Sequence, residues 1–122
     1  MKNIRRAAAV AGIAGAAVLG LGAPAWAAEG TWKVSVPGCN IYQQVQLQGS
    51  PAHDYMRWYT TGGSNGCEAW LFDGSPSGNT KGRQVISGNG SYYSSWYYDG
   101  PGSTWQVCAR NGSGQMGCGP LN

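Results

Sequence analysis

Apolar and polar residues alternate along several short stretches of this chain, which is the pattern of β-strands that bury one face. Residues 31–36 are apolar at every second position, and residues 41–48 alternate less cleanly. The buried face of the second stretch is predicted to carry Ile41, Val45 and Leu47. Runs of this length with a period of two predict strands of an antiparallel sheet.

A third alternating stretch, residues 55–60, consists mostly of large side chains. It places Met56 and Trp58 on one face, and Tyr55, Arg57 and Tyr59 on the other. An arginine flanked by tyrosines on one strand face is suited to cation–π contact and to docking on another surface. The alternative is an ordinary strand with its tryptophan in the core and its arginine in solvent.

Further short runs complete a predicted all-β chain, since the rest of the sequence shows no helical period. These runs are residues 68–72, 84–87, 91–98 and 104–110, followed by a final hairpin. Residues 73–82 hold glycines, a proline and little that could pack, which predicts a loop. About seven strands separated by turn residues predict a small, disulfide-stabilised antiparallel β-sandwich or barrel.

Residues 91–98 are rich in aromatic rings. Treated as one continuous strand, they place Tyr92, Trp96 and Tyr98 on one face and Tyr93 and Tyr97 on the other. Only one face of a surface sheet enters the core, so two or three of these rings are predicted to lie near water. The alternative is that loops cover them, because a chain with few aliphatic residues must build its core from rings.

The N-terminal segment differs from the rest of the chain. Three basic residues precede an apolar stretch rich in alanine and glycine, and a small-x-small cleavage site ends at Ala27. These features predict a signal peptide over residues 1–27 and a single secreted β domain over residues 28–122. A retained membrane anchor is the alternative, although the apolar stretch is short for a membrane span.

Removal of the signal peptide changes the charge of the protein. The full chain has eight basic and five acidic residues, a formal net charge of +3. Lys2, Arg5 and Arg6 belong to the predicted signal peptide, which leaves five residues of each sign. A neutral domain lacks long-range attraction to phosphate, so no nucleic-acid partner is expected, and no membrane contact after cleavage.

All four cysteines, Cys39, Cys67, Cys108 and Cys118, lie in the predicted mature domain. An even number in a small exported chain predicts two disulfides, and three pairings are possible. Cys39–Cys67 with Cys108–Cys118 is favoured because it closes the smaller loops, and the first crosslink would contribute roughly 3 kcal/mol. The spacing lacks the Cys-x-x-Cys pairs of a zinc site, so neither a metal nor a cofactor is expected.

Candidate catalytic residues are few. His53, the only histidine, precedes Asp54, but neighbours in sequence do not orient a ring nitrogen towards a carboxylate. Acidic pairs for glycoside hydrolysis would have to come from Asp54, Glu68, Asp73 and Asp99, and their spacing places no two together. The stretch after Asp73 has too few oxygen ligands for a calcium loop. We therefore predict a protein that is not an enzyme.

One region of the sequence carries a resemblance to a known family. The residues that carry it are Cys39, Tyr42-Gln43, Arg57-Trp58-Tyr59 and Asn65-Gly66-Cys67. This arrangement resembles the small exported α-amylase inhibitors of actinomycetes, the tendamistat-like family. The resemblance implies a β-sandwich with the first cysteine bonded to the second and the third to the fourth. It also implies a Trp-Arg-Tyr triplet that contacts the enzyme, where this chain has the order Arg-Trp-Tyr.

Two functions are hypotheses at this point. In the first, a secreted non-catalytic protein docks an Arg/Trp/Tyr surface on another secreted protein, as an inhibitor of a glycoside hydrolase such as α-amylase. In the second, a carbohydrate-binding module stacks its rings on the sugar faces of a polysaccharide. A small secreted enzyme is the remaining alternative. The candidate binding residues are Tyr55, Arg57, Trp58, Tyr59, Tyr93, Trp96 and Tyr97.

Overall fold

A computed structural model describes residues 29–74, 78–99 and 104–122. The predicted signal peptide, residues 1–27, lies outside these ranges, as do residues 75–77 and 100–103. Within the described ranges the chain forms strands, turns and bends, and it contains no helix that is long and apolar enough to cross a membrane.

Nine strands in the described part of the chain form two antiparallel sheets, which confirms the predicted all-β class with more strands than expected. The first sheet contains β1 (Gly30–Val36), β2 (Cys39–Gln48), β3 (His53–Thr60), β6 (Tyr92–Tyr93) and β7 (Tyr97–Tyr98). The second contains β4 (Glu68–Asp73), β5 (Thr80–Val85), β8 (Trp105–Arg110) and β9 (Met116–Cys118). In the first sheet, β3 pairs with β2 on one side and with both β6 and β7 on the other, while β1 pairs with β2. The order in the second sheet is β5-β4-β8-β9.

The two sheets enclose a common hydrophobic core, and alternation along each strand decides which side chains enter it. The predicted inward positions of Met56 and Trp58 are confirmed. Leu47 is 48% exposed rather than buried, because it lies near the end of β2, where the strand runs past the core. The core contains Val34, Val36, Ile41, Val45, Met56, Trp58, Ala69, Leu71, Ile86, Trp105, Val107 and Ala109.

A polar side chain lies inside this core. Gln43, on the inward face of β2, is fully buried. Its Oε1 accepts a hydrogen bond from the Val107 N–H at 2.7 Å, and its Nε2 donates to the Pro120 carbonyl at 2.9 Å. Gly119 packs so closely that a Cβ there would lie 2.5 Å from Oε1. The buried amide therefore connects the first sheet to β8 and to the C-terminal segment.

The loop predicted over residues 73–82 is only partly correct. Thr80–Val85 forms β5, an edge strand of the second sheet, whereas the sequence predicts a strand at residues 84–87. Asp73 donates its N–H to the Asn79 carbonyl at 2.8 Å and so closes the connection from β4. An edge strand can carry polar side chains in both directions, so β5 lacks the alternation that identifies half-buried strands.

Both favoured disulfides are present. Cys39–Cys67 joins the start of β2 to the residue before β4, and so connects the two sheets. Cys108–Cys118 joins directly paired positions of β8 and β9. Two disulfides are compatible with an extracellular protein, because such bonds persist in oxidising compartments.

Candidate functional site

The outer face of the first sheet carries a patch of aromatic side chains around one arginine. They come from β2, β3 and the segment containing β6 and β7, at positions that alternate with core residues or flank them. We call this patch the aromatic face. Its members are Tyr42, Gln44, Tyr55, Arg57, Tyr59, Tyr93, Trp96 and Tyr98.

Arg57 lies at the centre of the aromatic face. Its Cζ is 4.6 Å from the ring centroid of Trp96, 5.2 Å from that of Tyr93 and 5.7 Å from that of Tyr59. The Nε of Arg57 donates a hydrogen bond to Gln44 Oε1 at 2.9 Å. A guanidinium held by three rings and one amide has little freedom left, so its position is fixed before any ligand arrives.

The two aromatic clusters predicted from the sequence meet because the strand over residues 91–98 is broken. Tyr59 pairs with Tyr93, whereas Tyr55 pairs with Tyr98. The step from Tyr59 to Tyr55 covers four positions on β3, but the step from Tyr93 to Tyr98 covers five. One extra residue therefore lies between β6 and β7, as in a β-bulge, and it reverses the facing of everything after it.

Ser94 occupies the break and satisfies the backbone of Trp58 in place of a regular ladder. The Ser94 N–H donates to the Trp58 carbonyl at 2.9 Å, and the Trp58 N–H donates to Ser94 Oγ at 3.1 Å. A short side chain that accepts a hydrogen bond is needed here, because the Trp58 N–H is buried and would otherwise have no acceptor. These two hydrogen bonds hold the strand pair together across the extra residue.

The facing predicted for residues 91–98 is accordingly wrong. Tyr93 and Tyr98 share the outer face, where they are 68% and 47% exposed, instead of lying on opposite faces. Tyr92 and Tyr97 are half-buried and pack against the core. Trp96 lies with the outward group, over Arg57, rather than with Tyr92.

Two of the predicted binding residues lie elsewhere. Trp58 has no exposed surface, and its Nε1 donates to the Gly82 carbonyl at 2.7 Å. Tyr97 packs close to Gly82, and Lys81 Nζ lies 5.8 Å from the centroid of its ring. Of the predicted set, the structure therefore brings five residues together on the aromatic face: Tyr55, Arg57, Tyr59, Tyr93 and Trp96.

Tyr42 and Tyr98 belong to the aromatic face although neither was among the candidate binding residues. Tyr42 stacks on Tyr59 with centroids 5.2 Å apart, as direct partners across β2 and β3. Tyr98 makes edge contacts with Tyr55 at 5.8 Å and with His53 at 5.4 Å. The placement of Tyr42 opposite the apolar side of β2 was a signal for its exposure, whereas that of Tyr98 depends on the break in the strand.

Two ion pairs of Glu68 lie on the outer face of the second sheet. Glu68 accepts from Arg83 at 3.0 Å and from Arg110 at 2.6 Å. The Arg83 hydrogen bond is the main cause that lowers the pKa of Glu68, burial opposes it, and the Arg110 bond lowers it further. Arg83 also covers Trp70, with its Cζ 4.4 Å from the ring centroid, so this tryptophan is not available to a ligand.

Three aspartates lie together at one end of the sandwich, although their spacing in sequence gave no sign of it. Asp54 on β3, Asp73 on β4 and Asp99 after β7 are each less than a tenth exposed. Burial, together with the negative charges of Asp54 and Asp73, raises the pKa of Asp99 to about 7. A raised carboxyl pKa is also found at catalytic sites, but here the burial of all three side chains leaves little surface for a glycan.

Other chemistry finds little support in the described part of the chain. Its His, Cys, Asp and Glu side chains form no group of three or more that could hold a metal ion. His53 is exposed and contacts the ring of Tyr98, and all four cysteines are bonded in disulfides. The arrangement that remains for recognition is the aromatic face.

No family model matches this sequence, and no curated protein or solved structure matches the chain.

Proposed function

We propose that this protein is a secreted, non-catalytic binding protein that docks its aromatic face on another secreted protein, as an inhibitor of a glycoside hydrolase such as α-amylase. The observation that carries the proposal is the packing of Arg57 against Trp96, Tyr93 and Tyr59 on an exposed sheet face. Arginine, tryptophan and tyrosine dominate binding hot spots because they combine large, rigid area with hydrogen-bond donors.

The state of the Arg57 guanidinium supports docking on an acidic surface. Both ion pairs in the described part of the chain belong to Glu68, on the opposite sheet. The one hydrogen bond of Arg57 there uses Nε, which leaves both terminal nitrogens able to donate to a partner. Glycoside hydrolases carry paired carboxylates in their clefts, so they offer groups of the complementary charge.

The contacts among the rings favour a protein over a polysaccharide. Tyr42 and Tyr59 stack on each other, and Arg57 covers a face of Trp96. A ring face that is already occupied is not open to a sugar, whereas these contacts hold the rings still for docking on a protein. Arg57, which contacts three rings of this face, lies at the centre of the proposed contact.

Replacing Arg57 with alanine is expected to weaken inhibition of α-amylase by about tenfold or more, because a central hot-spot side chain is lost. The measurement is starch hydrolysis by α-amylase titrated with the purified mature protein and with Arg57→Ala. The matched control is Arg110→Ala, since Arg110 is an exposed cation on β8 of the other sheet, away from the aromatic face.

Two outcomes would count against this function. Unchanged hydrolysis at micromolar wild-type protein eliminates the amylase version, and the same titration is then run on other secreted glycoside hydrolases. Equal loss in Arg57→Ala and Arg110→Ala would mean that charge in general, and not the aromatic face, determines binding.

A carbohydrate-binding module is the second candidate, favoured by the exposure of Tyr93 and Tyr98. The side-chain amides of Gln44, Gln46 and Gln48 lie along β2 on the same side and could bond sugar hydroxyls. Retention on insoluble cellulose, chitin or starch tests it. Tyr93→Ala should then abolish retention while Arg57→Ala spares it, the reverse of the order expected for protein docking.

A further inference from the structure

Three Asn-Gly steps occur in the chain, at Asn65, Asn89 and Asn111. The second and third lie in the same tripeptide, Asn-Gly-Ser, so their immediate sequence gives no reason for them to differ. Asparagine before glycine is prone to deamidation, because glycine has no side chain to shield its backbone nitrogen. The surroundings of each step must therefore decide which of them reacts.

The reaction needs a mobile asparagine side chain and an unengaged glycine N–H. The glycine nitrogen gives its proton to solvent base and bonds to the asparagine Cγ, and the side-chain nitrogen leaves as ammonia. Water then opens the succinimide at either carbonyl, which yields aspartate or isoaspartate. The balance is one water in and one ammonia out, with no change of oxidation state.

Asn111 is held by both ends of its amide. Its Oδ1 accepts from the N–H groups of Ser113 and Gln115, each at 3.0 Å. Its Nδ2 donates to the Pro37 carbonyl at 2.8 Å and to Gln115 Oε1 at 2.9 Å. Rotation of the side chain towards the Gly112 nitrogen would break all four bonds.

Asn65 is protected because the group that would attack it, the nitrogen of Gly66, is already engaged in a hydrogen bond. The Gly66 N–H donates to the Ile86 carbonyl at 2.8 Å, within the connection that follows β5. The Oδ1 of Asn65 also accepts from the Gly88 N–H at 2.6 Å. Attack at this step requires both hydrogen bonds to open.

Asn89 has neither form of protection. It is exposed, and its side chain makes one long contact, from the Asn65 N–H to Oδ1 at 3.4 Å. The neighbouring Gly90 N–H makes no hydrogen bond in the described part of the chain. We propose that Asn89 is a site of spontaneous deamidation and that the folded structure protects Asn65 and Asn111 from the same reaction.

The position of Asn89 gives the modification a consequence for the proposed docking function. Its carbonyl accepts from the Gly63 N–H at 3.3 Å, and the chain enters β6 at Tyr92, three residues later. Isoaspartate routes the backbone through the former side chain and lengthens it by one carbon. This change would shift the segment that leads to Tyr93, so an aged protein should dock less well.

The test is to age the folded mature protein at mildly alkaline pH and to map deamidated and isoaspartyl peptides by mass spectrometry. We expect modification at Asn89 to run roughly tenfold or more ahead of that at Asn111, because four hydrogen bonds restrain the latter. Gly90→Ala should suppress the reaction at Asn89. A Cβ at Gly90 finds its nearest atom at 3.8 Å, so this variant should fold normally.

Gly112→Ala is the matched control, since a Cβ there meets nothing within 4 Å and the change should leave Asn89 as reactive as before. In the reduced, denatured protein, Asn89 and Asn111 should react at similar rates. Equal rates in the folded protein, or faster reaction at Asn65, would overturn the proposal. These readouts are peptide masses, so they are independent of whether the aromatic face binds a hydrolase.

Discussion

Trp58→Ala is expected to lower the free energy of unfolding by about 3–5 kcal/mol, the range for removal of a large buried aromatic side chain. The ring has no exposed surface and lies between the two sheets. Its Nε1 also donates to the Gly82 carbonyl at 2.7 Å, so the substitution leaves that carbonyl without its donor. A cavity and a lost hydrogen bond therefore act together on a small core.

Urea unfolding of purified mature protein, followed by fluorescence or circular dichroism, measures this effect. Tyr93→Ala is the matched control, because it removes a ring that is 68% exposed and should change stability by about 0.5 kcal/mol or less. Trp58→Phe should give an intermediate loss, since it keeps a ring but removes the donor. Equal effects of Trp58→Ala and Tyr93→Ala would contradict a core position for Trp58.

Stability is expected to fall as pH rises from about 4 to 7, because of Asp99. Its pKa is about 7 in the folded protein, against an ordinary value of 3.8 in an unfolded chain. A raised carboxyl pKa means that the folded state binds the proton more tightly, so its stabilisation is complete below 3.8 and is lost through about 7. The difference between a pKa of 3.8 and one of about 7 corresponds to at most about 4 kcal/mol, and screening by solvent should reduce the effect to about 2 kcal/mol.

Unfolding free energies measured between pH 4 and pH 8 test this expectation in wild type and in Asp99→Asn. The amide imitates the protonated acid, so the variant should lose most of the pH dependence and exceed wild type at pH 8. Both proteins are compared in a His53→Gln background, which removes the only imidazole. Glu68, whose pKa is lowered, acts in the opposite sense and at lower pH, since its stabilisation is lost as pH falls through its folded pKa. A wild-type curve that rises towards pH 8 would contradict the assignment to Asp99.

Local patterns predict much of the fold because one physical requirement, burial of one strand face, acts directly on the sequence. The facing of Met56, Trp58 and Arg57 follows from alternation alone. The favoured disulfide pairing is present in the structure, and the sandwich with it. The burial of Gln43 could not be predicted from alternation, since it depends on two backbone groups that are distant in sequence.

The candidate binding face was predictable only in part, for a reason found at Ser94. Arg57, Tyr55 and Tyr59 share a face by simple alternation on β3. Tyr93 and Trp96 lie over Arg57 because the strand is broken between β6 and β7. That break depends on hydrogen bonds between Ser94 and Trp58. Alternation with a period of two does not reveal an extra residue, because that residue is extra only relative to the strand it pairs with.

Because Asp54, Asp73 and Asp99 are buried, the charge counted from the sequence differs from the charge exposed at the surface. The predicted mature domain has equal numbers of both signs, yet three of its five carboxylates lie inside the sandwich. All of its lysines and arginines lie at least partly at the surface, where only Glu29 and Glu68 oppose them. A molecule that touches this protein therefore meets more basic than acidic side chains, although the predicted mature domain is formally neutral.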